Sequence, residues 1–389
     1  MPKTTRHSPA APPLLKRLNE QTVLDLVRDL APVSRAEISR RAGISKPTVS
    51  LALRSLVGAG LVRESAEAPS GPSYGAVYFE PVPEAALVLG LDLGARFLRG
   101  AISDLTGTIR ARQDVELRGA DAERALAAVA ELHDALLSAI GLPRELIDGV
   151  VVGVPGVTGA ADGTLQLAAN VPGLEGRPFK ADLETRLRLP VTLENDINLA
   201  ALGERELGVA RGVDDFVFLS VGTGMGAGIV LRGELHAGRH GFAGEIDFAL
   251  DALDEDVDPS APQVAAIAAR FTKRAETSLQ APFDARSVFD AARQGDAAAQ
   301  LVVDEVARRI ALHLAPVAAV VDVELVVLGG GIGSNGDLLL EPVRELLARW
   351  LPFPPQVEAS TVGEAAVLTG ALAVGVRAAL ENVARREVA

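Results

Sequence analysis

The chain has 389 residues, 48% hydrophobic and 23% charged, with no cysteine and a formal net charge of −13. That length supplies enough apolar surface for two or three filled domains, and the composition excludes a disordered chain, a disulfide framework and a thiolate metal site. The charge is uneven: residues 1–63 hold 11 Lys/Arg against 4 acids, a net +7 that leaves −20 on the remainder. A small phosphate-seeking region on an acidic body is expected, the body discouraging non-specific wrapping along nucleic acid.

The basic, Pro-rich start is followed by no apolar h-region, so no secretory signal is expected. The apolar run Leu312–Val327 is broken by Asp322 and Glu324, and the Ala/Val-rich segment 365–376 is read as too short for a bilayer. A soluble, cytoplasmic chain with no membrane partner is the expectation.

In chain order, Val23, Leu26, Val27 and Leu30 recur at helical spacing and predict an amphipathic helix over 18–30, stopped by Pro32. Ser34 is the expected cap of a second helix, with Glu37 completing a capping box and Gly43 supplying the left-handed exit. Ser45 caps a third helix, with Pro47 in its first turn. On that helix Val49, Leu53, Leu56 and Val57 form the face expected to pack inward. The opposite face carries Pro47, Thr48, Leu51, Arg54 and Ser55, flanked by Lys46 and Ser50. It is short, polar and basic, with one apolar side chain suited to a thymine methyl. After Gly60, LVRES and YGAVYFE read as two strands around APSGPS, a wing that sets Arg63 near a phosphate.

A plain three-helix bundle with a hairpin shares this capping and periodicity. The basic asymmetry, the turn glycine and the polar third helix together favour reading of double-stranded DNA by Ser45, Lys46, Pro47, Thr48, Ser50, Leu51 and Arg54, with Arg63 in support. The stretch resembles the winged helix-turn-helix modules of bacterial repressors.

Past Pro81 and Pro83, strands and helices alternate, which argues for α/β layers. Strands are expected at 86–94, 96–105, 108–118, 149–154 and 190–194, with helices at 121–140 and 196–208. The strand–glycine turn–strand opening near 86–107 recurs at 214–235, suggesting two related lobes. A third glycine element, LVVLGGGIGSNGDLLL at 325–340, runs from a strand into a helix.

This arrangement resembles the actin-like ATPase and sugar-kinase superfamily. The segments AANVPGLEG (168–176), LENDINLAALGERELG (193–208), GTGMGAGIVLRGELHAGRHGFAGEI (222–246) and VVLGGGIG (326–333) resemble the ROK family of repressors, open reading frames and kinases. With the N-terminal module in place, the resemblance covers nearly the whole chain and implies the repressor branch. It implies an α/β fold: a winged helix-turn-helix over 1–80, a first ROK lobe over 81–204, completed by a C-terminal helix at 364–386, and a second lobe over 205–389. It also implies that Asp196 stands at the general-base position and that Asn170, Glu194, Asn195 and Glu245 form the rest of a sugar pocket. A carboxylate just past a strand end can accept a hydroxyl proton, and amides both donate and accept, which suits a polyol. Ordinary loop and helix capping remains the alternative for these residues.

The departures from the family pattern carry their own expectations. Phe248 stands where the family has a histidine that contacts sugar and zinc, and the acidic stretch DALDEDVDPSAPQ (251–263) replaces the cysteine-rich zinc motif, so no metal is expected. Asp92 and Gly94 persist at the first phosphate turn, but Ala95, Arg96 and Phe97 replace the small and hydroxyl residues that let backbone amides approach phosphate. Gly222 and Gly224, with the glycines at 329–333, are read as keeping turn geometry rather than holding a nucleotide. His236 and His240 are assigned no role. The expectation is a DNA-binding regulator with a small-molecule sugar or sugar-phosphate effector. It has no cofactor, no catalytic residue beyond a vestigial Asp196, and a homodimeric or homotetrameric assembly set on an inverted repeat. A sugar kinase carrying a DNA-binding head, and a regulator without a ligand, are the competing readings.

Overall fold

The computed structural model describes residues 12–66, 76–117, 119, 121–158, 164–167, 171–250 and 256–386, except the side chains of 12–14, 158 and 383–386. The APSGPS tip between the two wing strands, Asn170 and the acidic residues 251–255 therefore lie outside the described residues.

Helix α1 (Pro12–Leu30) leads into strand β1 (Val33–Ser34), helices α2 (Arg35–Ala42) and α3 (Lys46–Gly58), and strands β2 (Val62–Glu64) and β3 (Tyr78–Pro81). The strands form one antiparallel sheet in the order β1-β3-β2, so the wing carries a third strand just before α2. Local signals set the turn between α2 and α3. Ser34 Oγ accepts from the Glu37 amide at 3.3 Å, Ser45 Oγ accepts from the Thr48 amide at 3.4 Å, and Gly43 exits at φ +65°. Glu37 does not close a capping box. Its carboxylate turns outward to Arg40 and Arg41, a helical turn away.

The inward face of α3 is Val49, Ala52, Leu53 and Leu56, packed with Val23, Leu24, Val27, Ile38 and Phe79. Val57 is exposed, contrary to the sequence expectation. It lies roughly 80° around the helix from Val49, beyond Leu53 at that edge of the buried arc, while Ala52 fills the opposite edge.

The body holds two five-stranded sheets of matching plan. The first is built from β4 (Leu87–Leu93), β5 (Phe97–Asp104), β6 (Ile109–Glu116), β7 (Ile147–Val154) and β10 (Val191–Asn195), in the order β6-β5-β4-β7-β10. Between these come α4 (Ala122–Ile140), the short pair β8 (Val157–Thr158) and β9 (Leu165–Gln166), and α5 (Phe179–Leu187). Helix α6 (Asp196–Leu207) then leads to the second sheet: β11 (Phe216–Val221), β12 (Met225–Leu231), β13 (Glu234–Leu235), β14 (Leu325–Gly329) and β15 (Gln356–Ala359), in the order β13-β12-β11-β14-β15. In both sheets an antiparallel hairpin sits beside two parallel strands. The recurring glycine turn is thus the visible trace of a duplicated topology.

The remaining helices are α7 (Ala261–Phe271), α8 (Ala285–Arg293), α9 (Ala297–Val321), α10 (Gly330–Gly333), α11 (Gly336–Trp350) and α12 (Ala366–Arg386). Leu87, Leu89 and Leu91 share a core with Leu126, Val129 and Leu132 of α4. Helices α7, α8, α9 and α11 cover one face of the second sheet around the buried Val217, Leu219 and Val221.

Helices α6 and α12 lie on the faces that the two sheets turn toward each other. Helix α12 packs on β4, β5 and β7 and crosses α6. The crossing is a backbone contact: a Cβ on Gly203 would sit 2.1 Å from the Ala366 carbonyl oxygen, and one on Gly370 would sit 1.9 Å from that of Leu199. The apolar stretch around α12 is longer than the sequence reading allowed. Residues 363–382 are long and apolar enough to span a bilayer by length and composition, but half of that stretch is buried inside the protein, which accounts for its apolar character.

Candidate functional site

Two places gather the residues singled out in the sequence. On the head, Lys46, Pro47, Leu51 and Arg54 are exposed along α3, and Leu51 keeps 54% of its surface in solvent. Thr48 and Ser50 are half-buried, and Ser50 Oγ donates back to the Lys46 carbonyl at 2.8 Å. Ser45 holds the first turn by its cap. Arg63 projects from β2, but its Nε donates to Glu80 Oε1 at 2.6 Å across the strand pair. Ser65 donates to the same carboxylate, and these hydrogen bonds, Ser65 first, hold the Glu80 carboxyl below its ordinary value. The Arg63 charge is therefore already paired.

The second place lies at the strand ends of the body. Strand β10 delivers Glu194, Asn195 and Asp196 to the start of α6. Asn195 is the helix cap: its Oδ1 accepts from the amides of Ile197 (2.8 Å) and Asn198 (3.0 Å), and its Nδ2 donates to the Gly156 carbonyl at 2.9 Å. Glu194 Oε1 accepts from the Asn195 amide and from Asn198 Nδ2, both at 2.9 Å. Capping thus falls to Asn195, and Glu194 braces the turn. Asp196 is left with local amide contacts, its Oδ1 accepting from the Ile197 amide at 2.9 Å.

Burial pushes the Asp196 carboxyl up to about 7, and the nearby charges of Asp92 and Glu245 add to the effect. Glu245 is also raised by burial, and its side chain makes no hydrogen bond or ion pair among the described residues. It is held in place by Gly244, whose φ of +102° and close approach to β12 exclude any side chain; the Gly244 carbonyl accepts from the Ala227 amide at 2.8 Å. Phe242 and Phe248 flank Glu245, both exposed, with ring centroids 5.3 Å apart. Phe248 offers no metal ligand, the chain has no cysteine, and no group of three metal-ligating side chains lies among the described residues. A thiolate-held zinc does not fit the residues present.

Asp92 is buried near the end of β4, and burial raises it to about 6 despite an ion pair with Arg99 directly across the hairpin (Nη1–Oδ2 3.1 Å). Arg99 also reaches Glu364 at 2.9 Å. Sequence reading missed Arg99; hairpin counting from the 94–97 turn pairs it with Asp92. The Gly94 amide donates to the Phe97 carbonyl at 2.9 Å, and the guanidinium groups of Arg96 and Arg99 lie 5.0 and 5.4 Å from the Phe97 ring centre. The first phosphate turn is thus closed on itself. The second is more open: Gly222 and Thr223 line a cavity of about 610 Å³ with Phe289, Arg293, Gly331 and Asn335.

Comparison with known proteins agrees with this division. The ROK family description matches residues 88–380, and the IclR helix-turn-helix domain matches residues 22–66. A xylose repressor of Caldicellulosiruptor bescii is 27% identical over 93% of this chain and 96% of its own length. A glucokinase of Halalkalibacterium halodurans is 31% identical over 66% of this chain and 84% of its own. Among solved structures, a ROK family transcriptional regulator described as a homolog of the E. coli MLC protein superposes with a TM-score of 0.79 over 96% of this chain and 99% of its own, at 22% identity. A Streptomyces griseus ROK glucokinase in complex with glucose and AMPPNP gives 0.62 over 74% and 99%, at 27% identity. This chain belongs to the ROK family and carries a helix-turn-helix domain ahead of its ROK region.

Proposed function

We propose that the protein is a sugar-responsive transcriptional repressor. The observation that carries this reading is the exposed polar and basic face of α3 on a small helical head attached to a ROK body. The full-length similarity to a protein named xylose repressor supports it. The chain divides at 1–80, 81–204 and 205–389, the last boundary falling inside α6. Helix α3 enters the major groove with Lys46, Pro47, Leu51 and Arg54 toward base edges and Thr48, Ser50 and the Ser45 cap at its rim. A homodimer or homotetramer presents two such helices to an inverted repeat. Asp196 and Glu245 take sugar hydroxyls, with Glu194 and Asn195 setting the geometry of the pocket. Sugar favours one closure of the lobes and so one spacing of the heads. A gel shift with the protein's own upstream DNA at moderate salt tests the reading. Sequence-selective retention that changes with one sugar of a panel is expected; retention without sequence preference overturns it.

One observation favours a second reading, a sugar kinase. A carboxyl raised to about 7, as at Asp196, suits a general base. The Arg99 clamp on Asp92 and the closed turn at Gly94 weigh against tight nucleotide binding. ADP release with a hexose, abolished by Asp196→Asn, would establish the kinase.

A further inference from the structure

The head and both lobes meet around a second cavity of about 610 Å³, which none of Asp92, Asp196 and Glu245 lines. Its walls come from α1, the β5–β6 turn, the end of α6, the β12–β13 turn and the outer half of α12. The floor is apolar, with Leu372 and Val376, and the rim carries Arg28, Arg205, Arg232 and Arg377.

These arginines are incompletely matched. Arg28 and Arg377 stand 3.7 and 4.0 Å from Asp25 and Glu234, beyond good hydrogen-bond distance. The Nε groups of Arg28 and Arg205 are buried without an acceptor, while Arg205 Nη2 donates to Asp214 Oδ1 at 3.4 Å. The Arg232 side chain makes no ion pair among the described residues. Acidic groups share the rim: Asp25, Glu206, Glu234 and Glu381. Burial raises the Asp25 carboxyl, with Arg28 and Gln21 opposing the shift. Buried guanidinium N–H groups without acceptors are costly, and guanidinium groups recognise oxyanions in a forked geometry.

We propose that this crevice is a second effector site, for a small metabolite bearing a phosphate or carboxylate group. The ligand's oxyanion is held between Arg28 of the head and Arg205 and Arg232 of the body, with its carbon skeleton over Leu372 and Val376. The cavity is of ordinary size for a small-molecule site. Because one wall belongs to the head and another to the second lobe, an occupant favours one placement of the head. Helix α6 starts at Asp196 and ends at this rim, so the sugar cleft and the crevice are joined by one rigid element and their occupancies influence each other reciprocally. The regulatory consequence rests on the repressor reading; anion binding does not.

Calorimetry on the full chain with ribose 5-phosphate, inorganic phosphate and citrate, and with ribose as the neutral control, tests the site. Binding of at least one anion is expected, the phosphate and citrate arms separating the two headgroups. Arg232→Asn, which tolerates the positive φ of 54° there, and Arg28→Gln should each weaken it tenfold or more. Hydrogen exchange, which needs no variant, should slow in 231–235 and 369–381 when the anion is added. Absence of anion binding, affinity unchanged in both variants, or protection confined to 194–197 and 242–248 would overturn the site. Failure of the unsubstituted protein to retain its upstream DNA, with anion binding intact, counts against the repressor reading alone.

Discussion

The exposed face of α3 and the buried carboxyls of the body present opposite problems. On α3 the polar and basic residues are close in sequence, largely exposed, and held by one helix whose inner face is packed. In the body Asp92, Asp196 and Glu245 come from separate segments, and their carboxyls are raised by burial. A surface for a charged polymer keeps its charges solvated until contact. A pocket for a neutral polyol desolvates its carboxyls beforehand and relies on the ligand's hydroxyls to satisfy them.

The sharpest way to break this contrast is at α3. Replacing Lys46 and Arg54 together by alanine should weaken operator binding by about a hundredfold or more, read by gel shift, because each good base contact contributes roughly 1–3 kcal/mol. Little change in affinity would mean that the DNA surface lies elsewhere. In the body, Gly370→Val should destabilise the fold by about 3 kcal/mol, measured by urea denaturation, since the new side chain collides with the α6 backbone.

The cleft also predicts a pH dependence. Asp196 rises from an ordinary 3.8 to about 7, so the folded state binds more protons than the unfolded chain between those values. Stability therefore falls as pH climbs through that window. Asp196→Asn should remove this share, making the urea profile between pH 5 and pH 8 flatter by on the order of 2 kcal/mol. An equal slope in both proteins would show that Asp196 is solvated. The smallest effect belongs to the head: Ser45→Ala should cost about 1 kcal/mol by removing the α3 cap, read as a lower denaturation midpoint.

Legibility followed the same divide. Ser34, Gly43, Ser45 and Pro47 act within one turn of their own helix, so their spacing announced both helix starts and the bend between them. The exposed Val57 and the outward Glu37 show the limit: an arc edge and a choice between two local partners are decided by neighbours that spacing does not reveal. The duplicated sheet was visible through its glycine turns. The Arg99 clamp required strand register, and the capping by Asn195 required knowing which of three adjacent polar residues the helix would use. The head–body crevice left no motif, because its walls are drawn from segments far apart in the chain.

The glycine crossing of α6 and α12 has a mechanical consequence. Where Gly203 meets Ala366 and Gly370 meets Leu199, no side chain cushions the two backbones. At such a joint each facing carbonyl oxygen rests against a glycine Cα. The two lobes are therefore pinned to each other where these helices cross, at a point with no room for an added methyl group.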